Sequence, residues 1–191
     1  PMMSPNLWRL LDWIETQGDK MNPDMRIAIN SNLGAKQSII DRFKTKLKGF
    51  KNFHLYTSME ATFGQAEYIR DGLDYGDWFS NFLHMMVDKV PSEIHNMCTI
   101  NALCLESLPE LLEKILFFKN ASKVYGAKVN YTLNILRFPS FQSPLVLPDD
   151  LRNKFKGDIQ KFLNNNVKHL EHMEVNQTQR LIDYLDVVKT P

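Results

Sequence analysis

The sequence is poor in the residues that metal, redox and phosphate sites usually need. Its 191 residues include two cysteines, five histidines and eight glycines. Cys98 and Cys104 match neither a CxxC zinc pair nor a cluster-binding loop, so we expect them to be buried core thiols. No glycine-rich phosphate loop, GxSxG elbow or HExxH motif is present. The common short motifs of hydrolases and P-loop proteins are therefore missing.

The sequence also lacks an excess of one charge and any long apolar run. The formal net charge is +1, and lysines are interleaved with acids, so there is no strong electrostatic footprint for nucleic acid or an anionic membrane. No apolar run approaches the roughly 20 residues of a membrane span, and no signal-peptide pattern is visible. Cysteines in an apolar context favour a reducing compartment. We predict a cytoplasmic protein with one sizeable core.

What the sequence does contain is a regular alternation of helical and strand-like patterns. We predict strands at residues 25–30, 53–58, 94–103 and 128–136, separated by amphipathic helices. Ser4 and Pro5 are typical of a helix start, and Ser107 with Glu110 predicts a capping box. Strands that alternate with helices of this length favour βαβ units. We expect four parallel strands in chain order, with helices on one face of the sheet.

The alternation predicts an α/β fold that is only part of a barrel. Four strands are half of an eight-stranded barrel, and a four-stranded parallel sheet would leave exposed edges. The simplest account is a partial (β/α) barrel with a missing amino-terminal portion. A proline-rich connection at residues 138–148 precedes two terminal helices. We therefore predict a barrel portion at residues 1–147 and a carboxy-terminal helical extension at residues 148–191.

Polar residues follow the predicted strands at their carboxyl ends, where parallel α/β sheets bind ligands. Ser58 and Glu60 are two residues apart, and an extended chain would point both to the same side. Arg70 follows after a predicted loop and offers a planar fork for a carboxylate or phosphate. With Asn101, late in the third strand, they would suit a zwitterionic, ribose-bearing ligand. The alternative is a turn-forming serine beside a weak surface ion pair.

One stretch of the sequence resembles a known family. TSMEATFGQAEYIRDGLDYGDWFSN is similar to the fourth-strand segment of radical S-adenosylmethionine proteins, with matches at Ser58, Glu60, Tyr68, Arg70, Gly72, Asp74 and Tyr75. The opening PMMSPNLWRLLDWI resembles the helix after the family's Gly-Gly-Glu-Pro motif, with Pro1 as its last residue. INSNLG and TINALCLESLPELLE resemble the third-strand and fifth-strand segments, and RFPSFQSPLVLPDDLR resembles members with a twitch or SPASM-like extension. The resemblance spans about residues 1–152.

The resemblance implies a cofactor site at the carboxyl edge of the sheet. In the family, residues of the types found at Ser58, Glu60 and Arg70 help to hold the ribose and aminoacyl parts of S-adenosylmethionine. Asn101 and the strand exit at Leu136 would flank the same cofactor. The family's Cys-x3-Cys-x2-Cys loop for the [4Fe-4S] cluster is absent from this sequence. The cluster ligands are therefore expected outside this chain, which by itself should be inactive.

The activity implied by the resemblance belongs to a longer enzyme. This chain would be its carboxy-terminal two-thirds, and the full-length form would cleave S-adenosylmethionine reductively and abstract a hydrogen atom from a substrate. That enzyme would need an electron donor, and its substrate could be a peptide, a nucleic acid or a small molecule. The alternative is a non-catalytic α/β module that binds a partner through its open sheet edge or its terminal helices. A generic nucleotide- or phosphosugar-binding domain is a weaker third interpretation.

Overall fold

The structure, a computed structural model, describes residues 2–20, 22 and 24–187. The strands are β1 (Ile27–Ser31), β2 (Phe53–Ser58), β3 (Glu93–Ile100) and β4 (Lys128–Ile135). The helices are α1 (Pro5–Gln17), α2 (Gln37–Leu47), α3 (Phe63–Ile69), α4 (Tyr75–Val87), α5 (Leu108–Tyr125), α6 (Asp149–Asn166) and α7 (His172–Leu185). Pro1, to which the resemblance gives a place in a motif, lies outside the described residues.

The four strands form one parallel sheet in the order β1-β2-β3-β4, which confirms the predicted α/β class and chain-order sheet. Side chains alternate between two faces, as the strand period requires. On one face Phe53, Leu55 and Thr57 are fully buried under helices. On the other face His54 and Tyr56 are only half-buried. The sheet therefore has one helix-covered face and one face that carries more exposed, mostly polar side chains.

Aromatic side chains dominate the core between the sheet and the helices. The Phe43 ring of α2 packs edge-on against Phe53 of β2, with 5.8 Å between ring centroids. Phe82 of α4 stacks on Phe118 of α5 at 4.3 Å. Trp78 is fully buried, and its indole Nε1 donates to Thr57 Oγ1 at 3.0 Å, so the one polar atom of the ring has a partner. These contacts fix α2, α4 and α5 against the sheet.

Three local predictions are wrong. The strand predicted at residues 94–103 ends at Ile100, so Asn101 follows β3 instead of lying within it. Residues before Arg70, predicted as a loop, form the helix α3. Ser107 does precede α5, but its side chain makes no capping bond. Instead Ser107 Oγ accepts from Thr62 N–H at 3.1 Å, and Glu110 Oε2 accepts from the Thr62 hydroxyl at 3.0 Å. The capping box is therefore replaced by a tertiary contact between α5 and the exit of β2.

Helix α7 covers the outer edge of β4. Glu174 Oε1 accepts from Tyr131 N–H at 3.2 Å, and Gln177 Oε1 accepts from Leu133 N–H at 2.6 Å. Arg180 Nη2 donates to the Leu133 carbonyl at 2.9 Å. Successive positions three residues apart lie on one helix face, so a single helix supplies all three contacts. Three backbone groups of this edge strand are thereby bonded to side chains rather than to another strand.

The outer edge of β1 is different. β1 pairs with β2 alone, and no side chain of the described residues hydrogen-bonds to the backbone of Ile27–Ser31.

The apolar residues of α6 and α7, such as Phe162 and Leu181, join the same buried cluster as the sheet. The division of the chain at residues 147 and 148 stays a prediction. In the part of the chain that the structure describes, no helix has the length and apolar character needed to span a bilayer.

Candidate functional site

A buried ion pair lies where the chain leaves β2. Glu60 Oε2 accepts from Arg70 Nη2 at 2.6 Å and from Arg70 Nε at 3.1 Å. The Glu60 side chain is 5% exposed and that of Arg70 is 26% exposed. A carboxylate this deeply buried needs its partner, because removal of one charge leaves the other without compensation. The pair is therefore not the weak surface ion pair that the alternative interpretation of the sequence described.

Helix α3 brings Arg70 back to Glu60. The helix is anchored by Ala66, whose side chain is buried, and the N–H of Arg70 donates to the Ala66 carbonyl at 2.9 Å. A turn follows at once, in which Leu73 N–H donates to the Arg70 carbonyl at 3.0 Å. Gly72 in this turn has φ 76°, a left-handed conformation that glycine adopts without strain. The short helix and the glycine turn together set the direction of the Arg70 side chain.

Asn101 and Leu136 lie next to each other where β3 and β4 end, at the carboxyl edge of the sheet. Leu136 N–H donates to the Ile100 carbonyl at 2.8 Å, which extends the pairing of β3 and β4 to the residue before Asn101. Both polar atoms of the Asn101 side-chain amide are bonded locally. Oδ1 accepts from Leu103 N–H at 2.9 Å, and Nδ2 donates to the Thr99 carbonyl at 3.2 Å. Asn101 therefore stabilises its own turn, and Leu136 is half-buried beside it.

Ser58 is the last residue of β2, and it lies on the face of the sheet that the helices do not cover. It is half-buried and in register with Met97 of β3. Because β2 ends at Ser58, the strand alternation does not continue to Glu60. Within the described residues, no side-chain hydrogen bond joins Ser58 or Asn101 to the Glu60–Arg70 pair. The structure thus pairs Glu60 with Arg70 and places Ser58, Asn101 and Leu136 along the same carboxyl edge.

The two cysteines are buried, as predicted. Cys98 Sγ accepts from Asn96 Nδ2 at 3.1 Å, and Cys104 Sγ donates to the Asn101 carbonyl at 3.2 Å. Burial raises the pKa of the Cys104 thiol to about 12. Burial, together with the nearby Cys104 and Glu60, raises the pKa of the Cys98 thiol well above its ordinary value. Both side chains are fully buried, and no group of three or more ligand side chains among the described residues includes them, so they do not fit as ligands of an iron–sulfur cluster.

No cluster of metal ligands is formed by the residues that the structure describes. No group of three or more histidine, cysteine, aspartate or glutamate side chains there is arranged to hold a metal ion. The carboxyl edge is instead a site for hydrogen bonding and charge. Its strongest feature is a guanidinium that is held in one plane by a buried carboxylate and is still partly exposed to solvent.

A second polar cluster lies on the open face of the sheet, the face that the helices do not cover, near the amino ends of the strands. Asn130 Nδ2 donates to Glu93 Oε1 at 3.0 Å, and His54 Nδ1 lies 3.0 Å from Glu93 Oε2 without forming a directed hydrogen bond. The His95 ring lies 5.5 Å from the Tyr56 ring between centroids. No local sequence pattern indicates this cluster, because only the strand register places these five residues together.

The His95 imidazole should make the stability of the fold depend on pH. Burial lowers its pKa below the ordinary value of 6.5, although Glu93 and Glu174 act in the opposite direction; Lys128 adds to the lowering. The unfolded chain therefore binds this proton more readily than the folded chain. Above the pKa of His95 in the unfolded chain, the stability contributed by this group is fully present. As the pH falls from there through the lower pKa of the folded chain, this stability is lost.

We expect His95→Gln to reduce the loss of unfolding free energy that the unmodified chain shows between about pH 7.5 and about pH 5.5. Urea unfolding at the two pH values measures the difference. His172→Gln, a change at an exposed position of α7, is the matched control and should leave the pH dependence as it is. If the His95→Gln and unmodified chains lose stability equally on acidification, the imidazole is not the group responsible.

The Glu60–Arg70 pair distinguishes the carboxyl edge from the rest of the polar surface. It combines a buried carboxylate, a fixed guanidinium and neighbouring strand exits at Asn101 and Leu136. Comparisons of the chain with protein-family models, with curated proteins and with solved structures find no match.

Proposed function

We propose that this chain supplies the S-adenosylmethionine-binding part of the barrel of a radical S-adenosylmethionine enzyme, of the branch with a twitch or SPASM-like extension. The observation that carries the proposal is the buried Glu60–Arg70 pair at the carboxyl edge of a parallel sheet. The order of the motifs from residue 58 to residue 75 supports the same assignment. Ligands of α/β proteins bind at this edge of the sheet.

Arg70 would contact the carboxylate of the cofactor's aminoacyl part. Its Nε and Nη2 donate to Glu60, whereas Nη1 has no hydrogen-bond partner among the described residues. Glu60 acts as a positioning residue, because a double contact fixes the plane of the guanidinium. The Arg70 side chain is partly exposed, so its free nitrogen could donate to a carboxylate oxygen.

The other strand exits would form the walls of the site. Ser58 places a hydroxyl on the open face of the sheet, where it could bond a ribose hydroxyl. Leu136 offers a half-buried apolar side chain to the adenine ring. Asn101 would act indirectly, by stabilising the turn after β3, since the oxygen and the nitrogen of its side-chain amide are already bonded.

The [4Fe-4S] cluster of such an enzyme would be held outside this chain. Cys98 and Cys104 do not fit its ligand set, because both are fully buried and two cysteines are too few for a three-cysteine loop. The cluster, when bound by the complete enzyme, supplies the electron for reductive cleavage of S-adenosylmethionine. The substrate would be a peptide, a nucleic acid or a small molecule, and an external donor would provide the electron.

The coding sequence upstream of Pro1 tests this proposal most cheaply. We expect an open reading frame that continues upstream and encodes a Cys-x3-Cys-x2-Cys loop followed by Gly-Gly-Glu. A reading frame that starts at a methionine codon directly before Pro1, with no such loop, would remove the enzymatic assignment for this gene product.

A non-catalytic binding module is the second candidate. It is favoured by the outer edge of β1, which has no paired strand and no side-chain hydrogen bond to its backbone among the described residues. Such an edge can accept a strand from a partner. A purified chain that binds a protein partner but not S-adenosylmethionine would support this candidate over the first. Binding of S-adenosylmethionine at the carboxyl edge would support the first.

A further inference from the structure

A pocket of about 470 Å³ lies in the helical layer between α3, α4 and α5. It is lined by the rings of Phe63, Tyr75 and Phe79 and by the charged side chains of Glu67 and Lys114. This volume is in the range of small-molecule sites, which combine apolar walls with a few polar groups. None of the residues proposed for the carboxyl-edge site lines this pocket, so the two sites are separate.

Phe63 has a strained backbone that leaves its ring exposed. Its φ is 47°, in the left-handed region that a bulky residue rarely adopts. Its side chain is 54% exposed, so burial of the ring does not offset the strain. Strain of this kind persists only where the surroundings impose it, and it is concentrated at ligand-binding and active sites.

Contacts with α5 impose this conformation. Thr62, directly before Phe63, donates through its N–H to Ser107 Oγ at 3.1 Å and through its hydroxyl to Glu110 Oε2 at 3.0 Å. The Phe63 ring then packs on the ring of Tyr75 with 4.9 Å between centroids. The result is an aromatic wall that α5 holds in place, next to an open cavity.

Tyr75 lines the cavity, but its hydroxyl is buried. The residue is 4% exposed, and among the described residues its hydroxyl makes no hydrogen bond. Burial, with the nearby charge of Glu110, raises the pKa of Tyr75 to about 12, so the hydroxyl keeps its proton. Because the hydroxyl has no access to the cavity, we assign Tyr75 only an apolar contact with a ligand.

The pocket is lined by one acidic side chain, Glu67, and one basic side chain, Lys114. Glu67 Oε1 accepts from Tyr75 N–H at 3.0 Å, which leaves its second oxygen for a ligand. Lys114 Nζ lies 5.9 Å from the centre of the Phe63 ring and 4.0 Å from Glu110 Oε1, and the Lys114 side chain is 38% exposed, so the ammonium group stays open to a ligand. We propose that the pocket binds a small zwitterion with an aromatic ring, of the size of a free aromatic amino acid. Its ring would lie against Phe63 and Phe79, its ammonium group near Glu67 and its carboxylate near Lys114.

Gly64 provides a way to fill the pocket without damage to the fold. It lines the cavity, and a Cβ atom added there meets no atom within 4 Å. Because leucine is a better helix former than glycine, Gly64→Leu should fold. We expect calorimetric titration of the full chain with L-tryptophan to show binding that Gly64→Leu weakens by about tenfold or more. Gly157→Leu, at an equally open helical glycine in α6, is the matched control and should bind like the unmodified chain.

Single-charge analogues of tryptophan separate the two charged contacts. Tryptamine keeps only the ammonium group, and indole-3-propionate keeps only the carboxylate. Glu67→Gln should weaken tryptamine about fivefold and leave indole-3-propionate unchanged, and Lys114→Gln should do the reverse. Absence of tryptophan binding at millimolar concentration, equal affinities of the two glycine variants, or binding that ignores both charge changes would overturn the proposal.

Discussion

Replacement of Glu174 by alanine should reduce the free energy of unfolding by about 3–5 kcal/mol, the usual cost of removing one partner of a buried ion pair. Glu174 is fully buried, and its Oε2 lies 2.5 Å from Lys119 Nζ. Its oxygens also accept from the N–H groups of Tyr131 and Glu171, so the substitution leaves three donors without their partner. Urea unfolding of the purified variant measures the loss.

A substitution on the exposed side of the same helix serves as the control. Gln179→Ala removes an exposed side chain of α7 that bonds only to Asp183, so the free energy of unfolding should change by less than about 0.5 kcal/mol. A loss at Glu174 no larger than the loss at Gln179 would contradict the role that we assign to α7. In that case the edge of β4 would not depend on side-chain contacts from this helix.

Arg70→Ala should weaken the binding of S-adenosylmethionine by the complete enzyme by about 2–5 kcal/mol, because it removes the guanidinium from a desolvated charge contact. The substitution also leaves Glu60 buried without its partner. Calorimetric titration measures the change in affinity, and circular dichroism confirms that the variant is folded.

Cys104→Ser is the matched control at the same edge of the sheet. Cys104 is buried beside Asn101 and has no proposed contact with the cofactor, so this variant should bind nearly as well as the unmodified enzyme. Equal affinities of the Arg70→Ala and unmodified enzymes would mean that Arg70 serves only as the partner of Glu60. The assignment of the cofactor site would then fail.

Regular strands were the part of the fold that could be predicted from sequence. β2 begins and ends where its alternating pattern does, because one face is buried against helices and every second residue must be apolar. Helix α3 could not be predicted in the same way. It has seven residues and begins at Phe63, whose left-handed backbone depends on contacts of Thr62 with α5.

The polar contacts between distant segments could not be predicted from the sequence. Glu60 and Arg70 are ten residues apart, and their contact depends on one short helix and one glycine turn. Glu174 and Tyr131 are 43 residues apart, and nothing in either segment specifies the other. The cover of β4 by α7, like the cluster around Glu93, follows from packing and strand register rather than from a local pattern.

Nuclear magnetic resonance of the isotopically labelled chain tests the proposed S-adenosylmethionine site most directly. We expect addition of the cofactor to shift the backbone amide signals of Ser58, Glu60, Arg70, Asn101 and Leu136. Signals of exposed residues in α6, such as Gly157, should stay in place. If no signal shifts at millimolar cofactor, or only signals away from the carboxyl edge of the sheet shift, the cofactor does not bind at this site.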